Sequence, residues 1–115
     1  MRRGDVYLVD LEPVRGSEVN KRRPVIIVTN EGANSRAALL QRGTLTVVPI
    51  TSNTRETLPF QVYLPAQDSG LPKDSKAQAE HIRSLSLDRF GSYLGTLPYR
   101  LMDEIDDAIR LHLSL

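Results

Sequence analysis

The run Val25-Ile26-Ile27-Val28, introduced by Pro24 and followed by Thr29, most constrains how this chain folds. It is short, β-branched and almost continuously apolar, the pattern of a strand buried on both faces. Five further segments read as strands. Asp5–Leu11 alternates loosely, and Phe60–Leu64 alternates cleanly. Gly91–Leu97 is short, and Thr44–Thr51 is a β-branched run whose Pro49 implies a bulge or an edge near its end. Lys76–Leu85 has poor periodicity and reads as a strand by its flanks. Ser52–Pro59 is turn-like, and Gln67–Lys76, with Gly70, Pro72 and two aspartates, reads as a loop.

Two segments have helical signals. Asn30 is a cap candidate ahead of the alanine-containing stretch to Leu40, and Gly43 breaks it. In Tyr99–Leu113, the residues Leu101, Met102, Ile105, Ala108, Ile109, His112 and Leu113 fall on one stripe. The acidic residues fall mostly off that stripe, in the N-terminal half, where the helix dipole favours them. His112 is expected in core or dimer packing. Several short strands with one terminal helix predict a mainly β fold, a small, partly open β-barrel capped by the C-terminal helix. The 115 residues suffice for one domain, 1–115, and not for two.

Charge narrows the ligand class. Net charge is only +1, but residues 1–60 hold nine Lys/Arg against six Asp/Glu, and residues 61–115 hold six against eight. That polarity suits a local site for an anionic ligand and is too weak for a non-specific nucleic-acid binder. Cysteine is absent, which removes disulfides and thiolate ligands. With two histidines, and with Asp103, Glu104, Asp106 and Asp107 on an exposed helix face, no metal or other cofactor is expected. No apolar run approaches the ~18 residues of a membrane span. No signal-peptide pattern follows Met1-Arg2-Arg3, so the cytoplasm is the expected compartment.

The stretch Gly16–Val25 is expected to carry the chemistry. Lys21, Arg22 and Arg23 are consecutive, Glu18 precedes them, and Pro24 leads directly into the buried run. A guanidinium held where a strand begins can aim its fork at phosphate oxygens. The competing reading is a solvated loop whose charges only aid solubility.

Four blocks give the chain a family likeness. They are Arg3-Gly4-Asp5-Val6-Tyr7; Gly16-Ser17-Glu18 with Arg23-Pro24-Val25; Val48-Pro49-Ile50-Thr51-Ser52-Asn53; and Glu80-His81-Ile82-Arg83-Ser84. In this order and spacing the chain resembles the MazF/PemK family of toxin–antitoxin endoribonucleases over nearly its whole length. The resemblance implies an SH3-like, MazF/CcdB-like barrel and a homodimer with RNA in a groove between protomers. It also implies metal-independent, sequence-specific cleavage of single-stranded RNA, and neutralisation by a cognate antitoxin presenting an extended acidic and apolar segment. The family's catalytic arginine and threonine fall on Arg23 and Thr51, and its Gly-Ser-Glu loop on Gly16-Ser17-Glu18. His81 departs from the glutamine usual there.

These residue types suit attack by a ribose 2′-OH, which leaves a 2′,3′-cyclic phosphate and a 5′-OH. The reaction needs a proton acceptor, a donor for the departing oxygen and cationic hydrogen bonds to the phosphorane. Arg23 suits charge stabilisation, and Thr51 can hydrogen-bond a phosphate oxygen. Glu18 and His81 are the acid–base candidates; equally, Glu18 reads as a solvated loop carboxylate and His81 as a strand histidine. Ser17, Lys21, Arg22, Asn53, Lys76, Gln78 and Arg83 are candidate RNA contacts, although strict alternation sets Arg83 on the face opposite Lys76 and Gln78. Two other functions compete: a non-catalytic nucleic-acid-binding module and a gyrase-directed toxin of the CcdB type. The absence of tryptophan argues against the latter.

Overall fold

The computed structural model describes residues 1–11 and 22–115. Ser17, Glu18 and Lys21 lie outside the described residues. The strands are β1 (Asp5–Asp10), β2 (Arg22–Ile27), β3 (Thr44–Thr51), β4 (Gln61–Leu64), β5 (Ser75–Gln78), β6 (Arg83–Ser86) and β7 (Phe90–Thr96). The helices are α1 (Glu31–Leu40), α2 (Ala66–Ser69) and α3 (Tyr99–Leu113). The strands form one antiparallel sheet of order β4-β5-β3-β2-β1-β7, with β6 beside β3. It is an open, strongly curved sheet with α3 packed against its β4 end.

The apolar run is buried on both faces, as its pattern predicts. Ile26 and Val28 enter the main core with Val6, Val48, Leu101 and Ile105. On the other face, Val25 packs with Val9, Val47 and Leu85, and Ile27 packs with Ala37 of α1 and Leu45. Burying each such side chain contributes about 1.5–3 kcal/mol. The α1 cap is also as expected: Asn30 Oδ1 accepts the Ala33 N–H at 2.9 Å.

Pro49 produces neither a bulge against β2 nor an edge strand. β3 pairs with β2 on one side, including Val25 opposite Pro49. On its other side it pairs with β6 over Thr44–Val47 and with β5 over Ile50–Thr51. The change of partner leaves Val48 and Pro49 unpaired on that side, so no carbonyl lacks the N–H that proline cannot supply.

The expected strand Lys76–Leu85 is two strands. A 3₁₀ turn, Ala79–His81, ends β5 and turns the chain into β6, which explains the poor periodicity. His81 is therefore in a turn, not a strand. The expected loop Gln67–Lys76 contains most of α2 and the start of β5. In α3 the buried stripe runs from Leu101 through Met102 and Ile105 to Ala108, with Ile109 half-buried. His112 is exposed, its ring 6.1 Å from that of Phe60. The first turn of α3 holds no acid. Asp106 instead pairs with Arg3, whose guanidinium also donates to the Val28 carbonyl, tying the N-terminus to α3.

Beyond β4, the end of α2 packs against β7. Gly70, at φ +76°, follows α2 and lies so close to β7 that a Cβ there would sit 2.3 Å from the Leu94 carbonyl oxygen. A Cβ on Gly95 would in turn approach the Ser69 carbonyl oxygen to 2.9 Å. Two glycines thus let backbone touch backbone and bring the Leu71–Lys73 segment beside the ends of β2 and β3.

Candidate active site

A cavity of about 670 Å³ opens where β2 begins and β3 ends. Arg22, Arg23 and Pro24 form one wall, Ile50, Thr51 and Ser52 another, and Leu71, Pro72, Lys73 and Ser75 a third; Leu8 and Leu94 supply apolar surface. Every charged residue in its described lining is a cation: Arg22, Arg23 and Lys73. The site therefore favours an anion, and its apolar patches suit the body of a nucleotide.

The antiparallel register accounts for the juxtaposition of Arg23 and Thr51. β2 and β3 pair Ile27 with Val47, Ile26 with Val48 and Val25 with Pro49. Continued two residues beyond that pairing, the same register would set Arg23 opposite Thr51, and both line the cavity. Arg23 is exposed and half-buried Pro24 follows it, so the charged tip reaches solvent while its backbone is held in the ladder opposite Val9. Thr51 is half-buried, and its Oγ1 accepts the Asn53 N–H at 3.3 Å. Asn53 Oδ1 in turn accepts the Arg55 N–H at 3.3 Å. These successive side-chain turns shape the chain leaving β3 and leave the Thr51 hydroxyl proton to donate.

The remaining candidates disperse. Arg22 lines the cavity, and Asn53 stands exposed one residue beyond the lining residue Ser52. Lys76 is directly opposite Thr51 on β5, yet it is only 9% exposed and its Nζ donates to the Glu56 carbonyl. Gln78 is half-buried opposite Gln61. Arg83 is exposed on β6, opposite Val47, with Nη1 3.5 Å from the Leu11 carbonyl oxygen. His81 is exposed in a turn that packs against α3 and is not among the residues lining the cavity. The structure thus joins Arg22, Arg23 and Thr51 and leaves His81, Gln78 and Arg83 outside the cavity wall.

Lys73 was not singled out by the sequence. It follows Pro72 in a polar loop, and only the glycine contact with β7 carries that loop to the cavity. Among the described residues no group of three or more His, Cys, Asp or Glu could hold a metal ion. No helix among them is long and apolar enough to cross a membrane.

Comparison with known proteins assigns the lineage. The sequence model of the PemK-like, MazF-like toxins of type II toxin–antitoxin systems matches residues 2–113. Endoribonuclease MazF9 of Mycobacterium tuberculosis is 48% identical over 115 residues, covering 100% of this chain and 98% of the relative. Endoribonuclease EndoA of Bacillus subtilis is 34% identical over 116 residues, covering 100% and 96%. A solved mycobacterial endoribonuclease in complex with its cognate antitoxin has a TM-score of 0.79 at 30% identity, with 100% of this chain and 96% of that one covered. A MazE–MazF complex from Deinococcus radiodurans gives 0.81 at 25% identity, with the same coverage. With the matched model spanning nearly every residue, and the open antiparallel sheet and C-terminal helix in common, this chain belongs to the PemK/MazF family of type II toxins.

Proposed function

We propose that the protein is a single-domain endoribonuclease toxin of the cytoplasm that cleaves single-stranded RNA and is neutralised by a cognate antitoxin. The observation that carries this reading is that Arg23 and Thr51 line the same cavity, from the start of β2 and the end of β3, with only cations among its described charged lining. The 2′-oxygen attacks the adjacent phosphorus, the bond to the 5′-oxygen breaks, and a 2′,3′-cyclic phosphate and a 5′-OH result. Arg23 directs its fork at the non-bridging oxygens as they gain charge, and the Thr51 hydroxyl donates to one of them. Glu18 accepts the proton of the 2′-OH, the departing 5′-oxygen takes a proton from solvent water, and Glu18 returns its own to solvent. Arg22 and Lys73 hold flanking phosphates from the cavity wall, and Ser17, Lys21 and Asn53 are further candidate RNA contacts.

A homodimer is part of this reading, because among the described residues β4 and β7 each keep one edge without a strand partner. The gyrase-directed and purely binding alternatives leave the Arg23/Thr51 pairing without a use. The test is cleavage of a defined single-stranded RNA in EDTA, with end analysis and a 2′-deoxy substitution at the cut site. Cyclic phosphate ends and a block by the 2′-deoxy sugar are expected. Cleavage that ignores the missing 2′-OH would sink the mechanism.

A further inference from the structure

We infer that Lys76 is a positioning residue, a buried strap that holds the Ser52–Phe60 loop in place and thereby aims Thr51, rather than a contact for RNA phosphate. This rests on the proposed cleavage reaction at Thr51. Lys76 lies on β5 with Thr51 opposite it on one side and Tyr63 on the other. Paired residues of antiparallel strands share a face, so its side chain leaves the core and passes beneath the loop that follows Thr51. Its ammonium donates to the Glu56 carbonyl at 2.5 Å, and the residue is 9% exposed. A buried ammonium is costly unless it is bonded, and an apolar chain of the same length would pack there more cheaply. What only a donor supplies is the tie to Glu56.

A second tie meets the same loop. The Leu58 N–H donates to Gln61 Oε1 at 2.9 Å, and Gln61 Nε2 donates to Glu80 Oε2 at 2.5 Å. Near its start, Thr51 Oγ1 itself accepts the Asn53 N–H. The loop is thus bound at its beginning, middle and end, and only the middle bond comes from a charged group. Releasing it frees the segment whose N–H orients the Thr51 hydroxyl.

The test is Lys76→Met, measured at a temperature well below the unfolding transition. A strap predicts a single-turnover rate at saturating protein lower by on the order of 10- to 100-fold, the scale of a small misplacement of a reacting group. It predicts faster amide hydrogen exchange across Ser52–Phe60 and an unchanged dependence of RNA affinity on salt. A phosphate contact predicts the reverse: an intact chemical step, and a log–log salt slope flatter by about 0.7. That result, or a lowered melting temperature with an unchanged rate, overturns the proposal. Should the variant not fold, the Lys76 ammonium resonance of the ¹⁵N-labelled native protein decides. Titration with a 2′-deoxy oligonucleotide leaves it in place for a strap and displaces it for a phosphate contact. Native protein that cleaves no RNA would refute the proposed function, and hydrogen exchange in the variant would still judge the strap.

Discussion

Thr51 and Lys76 are direct partners across the β3–β5 ladder, yet one lines the cavity and the other is covered by a loop. Cations in this site therefore divide by what surrounds them rather than by their distance from Thr51 in the sheet.

The arginine pair is the sharpest case. Arg23 and Thr51 line the cavity from the start of β2 and the end of β3, and Arg22 lines it one residue before Arg23. Arg23→Ala should lower single-turnover cleavage by on the order of 10²–10³-fold, as for a lost oxyanion donor. Arg23→Lys should restore little, because a point charge lacks the fork. Arg22→Ala should mainly weaken binding and flatten its salt dependence. Should Arg22→Ala cripple the step and Arg23→Ala spare it, the catalytic assignment is off by one residue.

Antitoxin binding should read the same charges. An acidic, extended segment over Arg22, Arg23 and Lys73 should bind less tightly as salt rises and after Arg23→Ala. Calorimetry at two ionic strengths measures both effects. An affinity indifferent to each would locate the antitoxin on another surface.

Gly70 should tolerate no side chain. Its φ of +76° and the 2.3 Å approach to the Leu94 carbonyl oxygen both act against Gly70→Ala. Backbone strain and overpacking each cost on the order of 1–3 kcal/mol. The urea midpoint should fall with the m-value unchanged, and cleavage should fall too if Lys73 is displaced from the cavity. An alanine variant as stable as the parent would show that β7 yields easily.

Acid should loosen two ties. The Arg3 N–H and the Asn34 amide donate to Glu31 and hold its carboxyl below the ordinary 4.5. The Ala66 N–H and the Tyr63 hydroxyl hold Asp74 below 3.8. Both groups are lowered in the folded state, so their stabilisation is present above those ordinary values and is lost as pH falls through the folded ones. Urea midpoints from pH 6 down to about 2 should decline, and Glu31→Gln with Asp74→Asn should make the decline shallower. An identical slope in the double variant would assign the acid sensitivity elsewhere.

Local pattern alone determined much of this protein. The β-branched runs at Val25–Val28 and Thr44–Thr51 could satisfy their backbone and bury their side chains only as strands. The Tyr99–Leu113 stripe specified α3 to the residue, and Asn30 specified where α1 begins. The strand pattern put Arg23 at the start of one such run and Thr51 at the end of the other, and both line the cavity. Tertiary structure alone decided which cations meet. Lys73 reached the cavity through a close glycine contact between the end of α2 and β7, and Lys76 was buried by a loop from β3. His81 was turned aside by three residues of 3₁₀ helix. Each of these depends on segments distant in sequence packing together. Strand periodicity reports which face a side chain takes, whereas its neighbour across space is set by register, turn geometry and close backbone approach.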